Sequence, residues 1–222
     1  MSALLLDLDG TLIDSRQDLA AATNRLLAEL GLAPLPLLQV CQYVGRGARS
    51  LVGRALDAAD PDGLVPRTEP ILRRFLGHYE QVLLDSTVPF AGVLAGLDAL
   101  REAGVPLALV TNKPIRPTRT ILAGLGMSDR FDVVLGGDSL PQKKPDPAPL
   151  LAAADLLGVP VARCVMVGDS DVDMEAAKNA GVLGVWCSWG GIHPDRPSHH
   201  DLVAESFDEV VALALGRLRV SP

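Results

Sequence analysis

The chain opens with an apolar run that stops abruptly at acid. Leu4-Leu5-Leu6 leads into Asp7-Leu8-Asp9-Gly10-Thr11-Leu12, the pattern of a buried strand ending in a polar loop. From Arg16 to Leu30 the spacing changes. Leu19, Ala22, Leu26, Leu27 and Leu30 fall on one face of a helix, which Gly31 is placed to close. Leu32-Ala33-Pro34-Leu35-Pro36 reads as a linker. Shorter helical patterns follow near 37–43, 47–58 and 67–84, separated by Gly45-Arg46-Gly47 and Asp60-Pro61-Asp62-Gly63. Nothing from residue 15 to 84 alternates as a strand would.

From Val88 the grammar is different. A helix at about 91–103, ended by Gly104, precedes the apolar run Pro106–Val110, which stops at Thr111-Asn112-Lys113-Pro114. A helix to about Leu125 follows, then a strand at Asp132–Leu135 that stops at Gly136-Gly137-Asp138. Lys143-Lys144-Pro145-Asp146-Pro147 opens a helix reaching Leu157. A strand at Arg163–Val167 stops at Gly168-Asp169-Ser170, a helix covers about Val172–Ala180, and a strand covers Val182–Trp186. The stretch from Cys187 to Ser206 is polar and turn-rich, and a last helix lies near 207–217. Strands alternating with helices predict an α/β fold: a doubly wound, Rossmann-like, mostly parallel sheet. The helical stretch is then an insertion after the first strand, an all-helical cap domain over residues 15–85, with residues 1–14 and 86–222 forming the core. The hinges fall near Asp14-Ser15 and between Asp85 and Pro89.

In such a sheet, ligands bind beyond the carboxyl ends of the strands. The predicted tips carry Asp7 and Asp9, then Thr111 and Asn112, then Lys144 after a short loop, then Asp169 with Asp173 four residues on. Asp-x-Asp-Gly after a strand is also a common turn, but scattered surface polar residues would not all fall at one sheet edge. Asp7 and Asp9, two apart on extended chain, point the same way. Their repulsion has to be relieved by a cation or a shared proton. Two uses fit: a divalent-metal site, or a nucleophile paired with a general acid/base. Asp7, Asp9 and Asp169 offer hard oxygen ligands, which suit Mg2+ better than zinc. Thr111 and nearby amides suit phosphoryl oxygens, and Lys144 is a compact positive charge. Together these residues describe phosphoryl transfer.

Composition narrows the classes. The 222 residues are 48% hydrophobic and 21% charged, with a formal net charge of −7. This describes a folded soluble chain without the basic stripe of a nucleic-acid surface. An anionic substrate needs local cations against that field. Cys41, Cys164 and Cys187 are too sparse for a disulfide framework or zinc site. With neither a basic leader nor an 18-residue apolar span, the expectation is a cytoplasmic protein with no membrane partner. A monomer and a homodimer both fit.

Asp7-Leu8-Asp9-Gly10-Thr11, Thr111-Asn112, Lys144-Pro145 and Gly168-Asp169-Ser170-Asp171-Val172-Asp173 resemble the four ordered motifs of the haloacid-dehalogenase superfamily. The resemblance covers nearly the whole chain, the helical insertion included. Thr-Asn-Lys-Pro, Gly-Gly-Asp and Lys-Lys-Pro-Asp-Pro-Ala-Pro-Leu-Leu look like bacterial phosphoglycolate phosphatases. The resemblance implies that Asp7 attacks phosphorus and carries an aspartyl phosphate. Asp9 protonates the leaving oxygen and then activates water. Mg2+ is held by Asp7, the backbone carbonyl of Asp9 and Asp169. Thr111 and Lys144, the lysine directly before Pro-x-Pro, hold the phosphoryl group, while Asp173 orients Lys144 or a metal-bound water. The substrate implied is a small phosphorylated metabolite, 2-phosphoglycolate first. A sugar phosphomutase shares the acid pair but usually has Glu-Asp-Ser at the fourth motif. A dehalogenase or phosphonatase lacks the second acid. A ligand-binding relative on the same fold would not keep every catalytic position filled.

Further residues have two readings each. Arg46 and Arg49 either reach a substrate carboxylate or flank a solvated helix start. Asn112 lines the site or shapes its loop, as does Lys113. Asp14 is expected to cap the next helix. His193, His199 and His200, with Pro194 and Pro197, read as an exposed loop. Trp186-Cys187-Ser188-Trp189-Gly190-Gly191 departs from the usual phrase of the related phosphatases, and Trp189 either lines the cleft or covers the sheet edge.

Overall fold

The computed structural model describes residues 2–190 and 197–216; His193 and Pro194 lie outside the described residues. Its frame is a six-stranded sheet, every neighbouring pair parallel. The strands are β1 (Ala3–Leu6), β4 (Leu107–Val110), β5 (Val133–Leu135), β6 (Cys164–Gly168), β7 (Leu183–Cys187) and β8 (Leu202–Ala204), in the spatial order β5-β4-β1-β6-β7-β8. The chain builds outward from β1 to one side, then returns to β1 and builds outward on the other. The order reverses between β1 and β6, where a crevice opens at the carboxyl edge. Register aligns the tips there: Leu6 pairs with Leu109 on one side and Val167 on the other.

The strands read as continuous apolar runs because both faces are covered. Leu4 and Leu6 join Leu107, Leu109 and Val167 on one face, under α5 (Val93–Glu102), α6 (Ile115–Gly124) and α9 (Phe207–Ala214). Leu5, Ala108, Val110 and Met166 face the other way, against small residues: Ala153 and Ala154 of α7 (Ala148–Leu157) and Ala176 and Ala177 of α8 (Asp171–Ala180). Cys41, Cys164 and Cys187 are buried thiols.

Residues between β2 (Ile13–Asp14) and β3 (Val88–Pro89) form α1 (Arg16–Glu29), α2 (Leu37–Cys41), α3 (Ala48–Ala59) and α4 (Glu69–Glu80), with no strand among them. Asp14 accepts the Arg16 amide and pairs with the Arg16 guanidinium, but it stands one residue before the expected place: Ser15 holds the cap position of α1 and makes no side-chain capping bond. Two features escape the periodicity. β2 and β3 pair as an antiparallel ribbon at the root of the helical segment, and β8 adds a sixth strand within the stretch read as turns. Both are too short, at two and three residues, to show an alternation. Among the described residues, no helix is long and apolar enough to cross a membrane.

The root of the helical segment is also held by a buried carboxylate. Asp18 of α1 accepts the Ser86 amide, the Thr87 amide at 2.8 Å and the Thr87 hydroxyl at 2.6 Å. Replacing it with Ala strands the buried Thr87 amide and hydroxyl, so D18A is expected to lower unfolding stability by about 2–3 kcal/mol, read as a lower denaturant midpoint.

Candidate active site

The loop after β1 turns tightly because one carbonyl gathers it: Leu8 O accepts the amides of Thr11, Leu12 and Ile13. Leu8, Leu12 and Ile13 are buried as its floor. Gly10 sits inside the turn at φ +84°, and a Cβ there would lie 2.1 Å from Asp169 Oδ2. Only glycine allows both the left-handed backbone and the close approach. The stretch 186–190 braces this loop from outside. The Trp189 indole donates to Thr11 O at 3.0 Å, the Trp186 indole donates to Asp169 O at 3.1 Å, and Cys187 lies against the Thr11 hydroxyl. Trp189 also packs edge-on against Phe207, so it covers the sheet edge. His199 lies against Lys178.

The strand tips bring Asp7, Asp169 and Asp173 together, each offering a carboxylate oxygen within 4.8 Å of the others. Lys144 donates to Asp7 at 2.8 Å and to Asp173 at 2.6 Å. Asp173 also accepts the amide and hydroxyl of Ser170, in a capping box at the start of α8. Asp169 Oδ2 is buried without a hydrogen-bond partner. Burial pushes the Asp7 carboxyl up to about 6 against the pull of Lys144, and burial together with Asp173 and Asp7 pushes Asp169 well above the usual range. Burial disfavours the Lys144 ammonium, but Asp173 and Asp7 outweigh it and keep the group charged. The excess negative charge and the orphaned oxygen fit a divalent cation with oxygen ligands.

Asp9 has other partners. Both its oxygens accept from the Lys113 ammonium at 2.8 Å, and one also accepts the Ser15 hydroxyl. Its carboxylate is thus outside the acidic cluster, two residues from Asp7 but serving a different cation. Lys113 is buried, 4.7 Å from the centre of the Tyr79 ring. The sequence left Lys113 between two roles and passed over Ser15 and Tyr79. The available signal was a lysine at a strand tip between Asn and Pro.

Thr111 stands at the tip of β4, its hydroxyl accepting the Lys113 amide. Asn112 lines the cleft and also ties loops together: its amide donates to Gly45 O and Lys144 O. Arg46 and Arg49 are exposed. Neither is among the residues lining the cleft, and Arg49 pairs with Glu69 at the start of α4. The cleft, about 480 Å3 with its mouth, lies between these strand tips and α1, α3 and α4. Asp7 belongs to both the cleft and the acidic cluster.

A parallel sheet with its chemistry on the carboxyl tips, under helices inserted after the first strand, places the chain among doubly wound α/β enzymes with an acidic, cation-ready centre. More particularly, the haloacid dehalogenase-like hydrolase family model matches residues 4–186, and the chain belongs to that family. It is 45% identical over 233 residues to a phosphoglycolate phosphatase of Psychrobacter arcticus, covering 99% of this chain and 96% of that one. The crystal structure of a predicted phosphoglycolate phosphatase from Haemophilus somnus superposes with a TM-score of 0.89 at 32% identity, covering 96% and 97%. CbbY from Rhodobacter sphaeroides, solved in complex with phosphate, superposes with a TM-score of 0.81 at 25% identity, covering 95% and 96%.

The contact at Gly10 gives a direct check. G10A is expected to displace Asp169 and to cost about 1–2 kcal/mol from the left-handed backbone alone. The readouts are a lower denaturant midpoint and a smaller rise in melting temperature on adding a divalent cation.

Proposed function

We propose that this chain is a Mg2+-dependent phosphomonoesterase whose substrate is 2-phosphoglycolate and whose nucleophile is Asp7. The observation that carries the reading is the position of Asp7: it faces the cleft, belongs to the acidic cluster and is held by Lys144. The substrate assignment is supported by the relatives bearing that activity's name across nearly the full chain.

Asp7 and Asp169, with the Asp9 carbonyl, would hold Mg2+, and Asp173 stands beside them. When bound, the ion neutralises acidic charge and supplies positive charge toward the phosphoryl oxygens. One Asp7 oxygen attacks phosphorus, giving an aspartyl phosphate and an alkoxide leaving group. Asp9, in its acid form, gives its proton to that alkoxide. The resulting carboxylate is the form that Lys113 and Ser15 hold here, and it takes a proton from the water that hydrolyses the phosphoenzyme. Thr111 and Lys144 orient and balance the phosphoryl group. Residues 15–85 act as a cap whose apolar residues Leu19, Phe75 and Leu76 line the cleft and exclude bulk water.

D7N is expected to abolish phosphate release from 2-phosphoglycolate while leaving the fold intact by circular dichroism; turnover at the wild-type rate refutes the assignment. A second expectation concerns the ion itself. In the metal-free protein the raised Asp7 and Asp169 favour proton binding in the folded state, so Asp7 lowers stability as pH rises from about 4 through 6, and Asp169 acts in the same direction. Mg2+ competes with those protons. The rise in melting temperature that it produces is therefore expected to be larger at pH 7.5 than at pH 5, and to shrink in D169N.

A further inference from the structure

The acid tips account for the phosphoryl part of the cleft; the rest of its lining bears on the leaving group. Its wall is mostly apolar, and among the described residues that line it Lys113 is the one cation. Three sets of polar groups nevertheless line it.

The first is the start of α3. Gly47, at φ +85°, offers no side-chain cap, and the first turn holds no acidic residue. The first helical bond runs from the Leu51 amide to Gly47 O, so the amides of Ala48, Arg49 and Ser50 have no acceptor within the helix. Gly47 and Ala48 line the cleft and add almost no side-chain bulk to screen those amides. The second is Tyr79, buried on the same cleft, whose hydroxyl faces the Lys113 ammonium and has no acceptor for its own proton. Burial pushes that phenol far up, so it remains a neutral donor. A buried hydroxyl proton without an acceptor asks for one from a ligand. The third is Lys113, whose ammonium charge is shared between Asp9 and the Tyr79 hydroxyl and stands at the cleft wall.

We propose that the amides at the start of α3, the Tyr79 hydroxyl and the Lys113 ammonium form a subsite for a carboxylate on the substrate's leaving group. The proposal rests on the phosphomonoesterase reading above and deepens it by naming how the acid is recognised. It assigns to backbone and buried donors the task that Arg46 and Arg49 suggested in the sequence. Helix N-termini attract anions through oriented amides and the helix dipole. The apolar wall raises the discrimination, because a leaving group without the carboxylate leaves these buried donors unpaired.

The test compares 2-phosphoglycolate with ethyl phosphate, which keeps the two-carbon ester and lacks the carboxylate. The readout is the ratio of their kcat/KM values in wild type, Y79F and A48P. Y79F removes the hydroxyl alone. A48P removes one amide at a helix position where proline fits. Because the ratio is compared between variants, the intrinsic difference between the two leaving groups cancels. The wild type is expected to prefer 2-phosphoglycolate, and each variant to lose about tenfold or more of that preference. A preference retained within about twofold in Y79F overturns the subsite and leaves the phosphatase reading standing. Equal hydrolysis of both esters by wild type overturns the subsite and the choice of substrate. Hydrolysis of neither in the presence of Mg2+ overturns both readings.

Discussion

Everything at the working edge of this protein follows from crowding like charges where water is scarce. Asp7, Asp169 and Asp173 present oxygens within 4.8 Å of one another, with Lys144 as the cation hydrogen-bonded among them. Three carboxylates against one ammonium leave two negative charges in excess if all ionise. Burial first, and the neighbouring carboxylates after it, push Asp7 and Asp169 upward and so favour protonation. A divalent cation resolves the excess without protons. The fold holds the carboxylates in place despite their repulsion: β1 and β6 are locked in register, and Asp173 is fixed by the capping box that starts α8. The crowding is thus imposed by the apolar sheet, whose packing and backbone bonds extend well beyond the site.

A second constraint keeps the two acids of Asp-Leu-Asp apart in function. Two residues separate Asp7 from Asp9 in the chain, yet each has its own lysine: Lys144 for Asp7 and Lys113 for Asp9. The turn gathered on Leu8 O makes this possible, because it bends the chain between them instead of continuing the strand. One carboxylate then belongs to the acidic cluster. The other is clamped by an ammonium and a hydroxyl, which fix it in one orientation outside the acidic cluster. Gly10 and Gly190 pack this turn so closely that a Cβ on Gly190 would sit 1.9 Å from Gly10 O. The tryptophan-bearing stretch therefore acts as a brace for the catalytic loop.

The sheet was legible because buried parallel strands are runs of apolar residues punctuated by polar tips, and the tips hold the chemistry. Asp7, Thr111, Lys144, Asp169 and Asp173 could be found that way without knowing a single distance. Residues whose role depends on a distant partner were not legible. Lys113 is 104 positions from Asp9, and no local pattern links them. Ser15 stands where a helix cap is expected, but its hydroxyl turns to Asp9 instead. Arg49 follows a glycine-rich turn in the first turn of α3, yet its guanidinium pairs with Glu69 outside the cleft lining. In each case a charged partner outside the local pattern decided where the side chain points. The ribbon of β2 and β3 was missed for a different reason: two residues cannot display a period.

The cleft joins two unlike surfaces, and one side chain records how they meet. The strand tips contribute charge; the helical segment contributes Leu19, Val44, Leu51, Phe75 and Leu76. An apolar cover over a charged floor lowers the local dielectric, so each ion pair and each oriented amide acts more strongly than in water. The cover therefore has to stay in register with the charges it screens. Asn112 makes that connection directly, with one amide donating to Gly45 O of the helical segment and to Lys144 O of the core. The loop that leads into α3 and the loop that carries the lysine beside Asp7 are thus held by the same group. Moving the cover away breaks a hydrogen bond whose other half steadies Lys144. The ammonium beside Asp7 is in this way set most firmly when the helical segment lies over the strand tips.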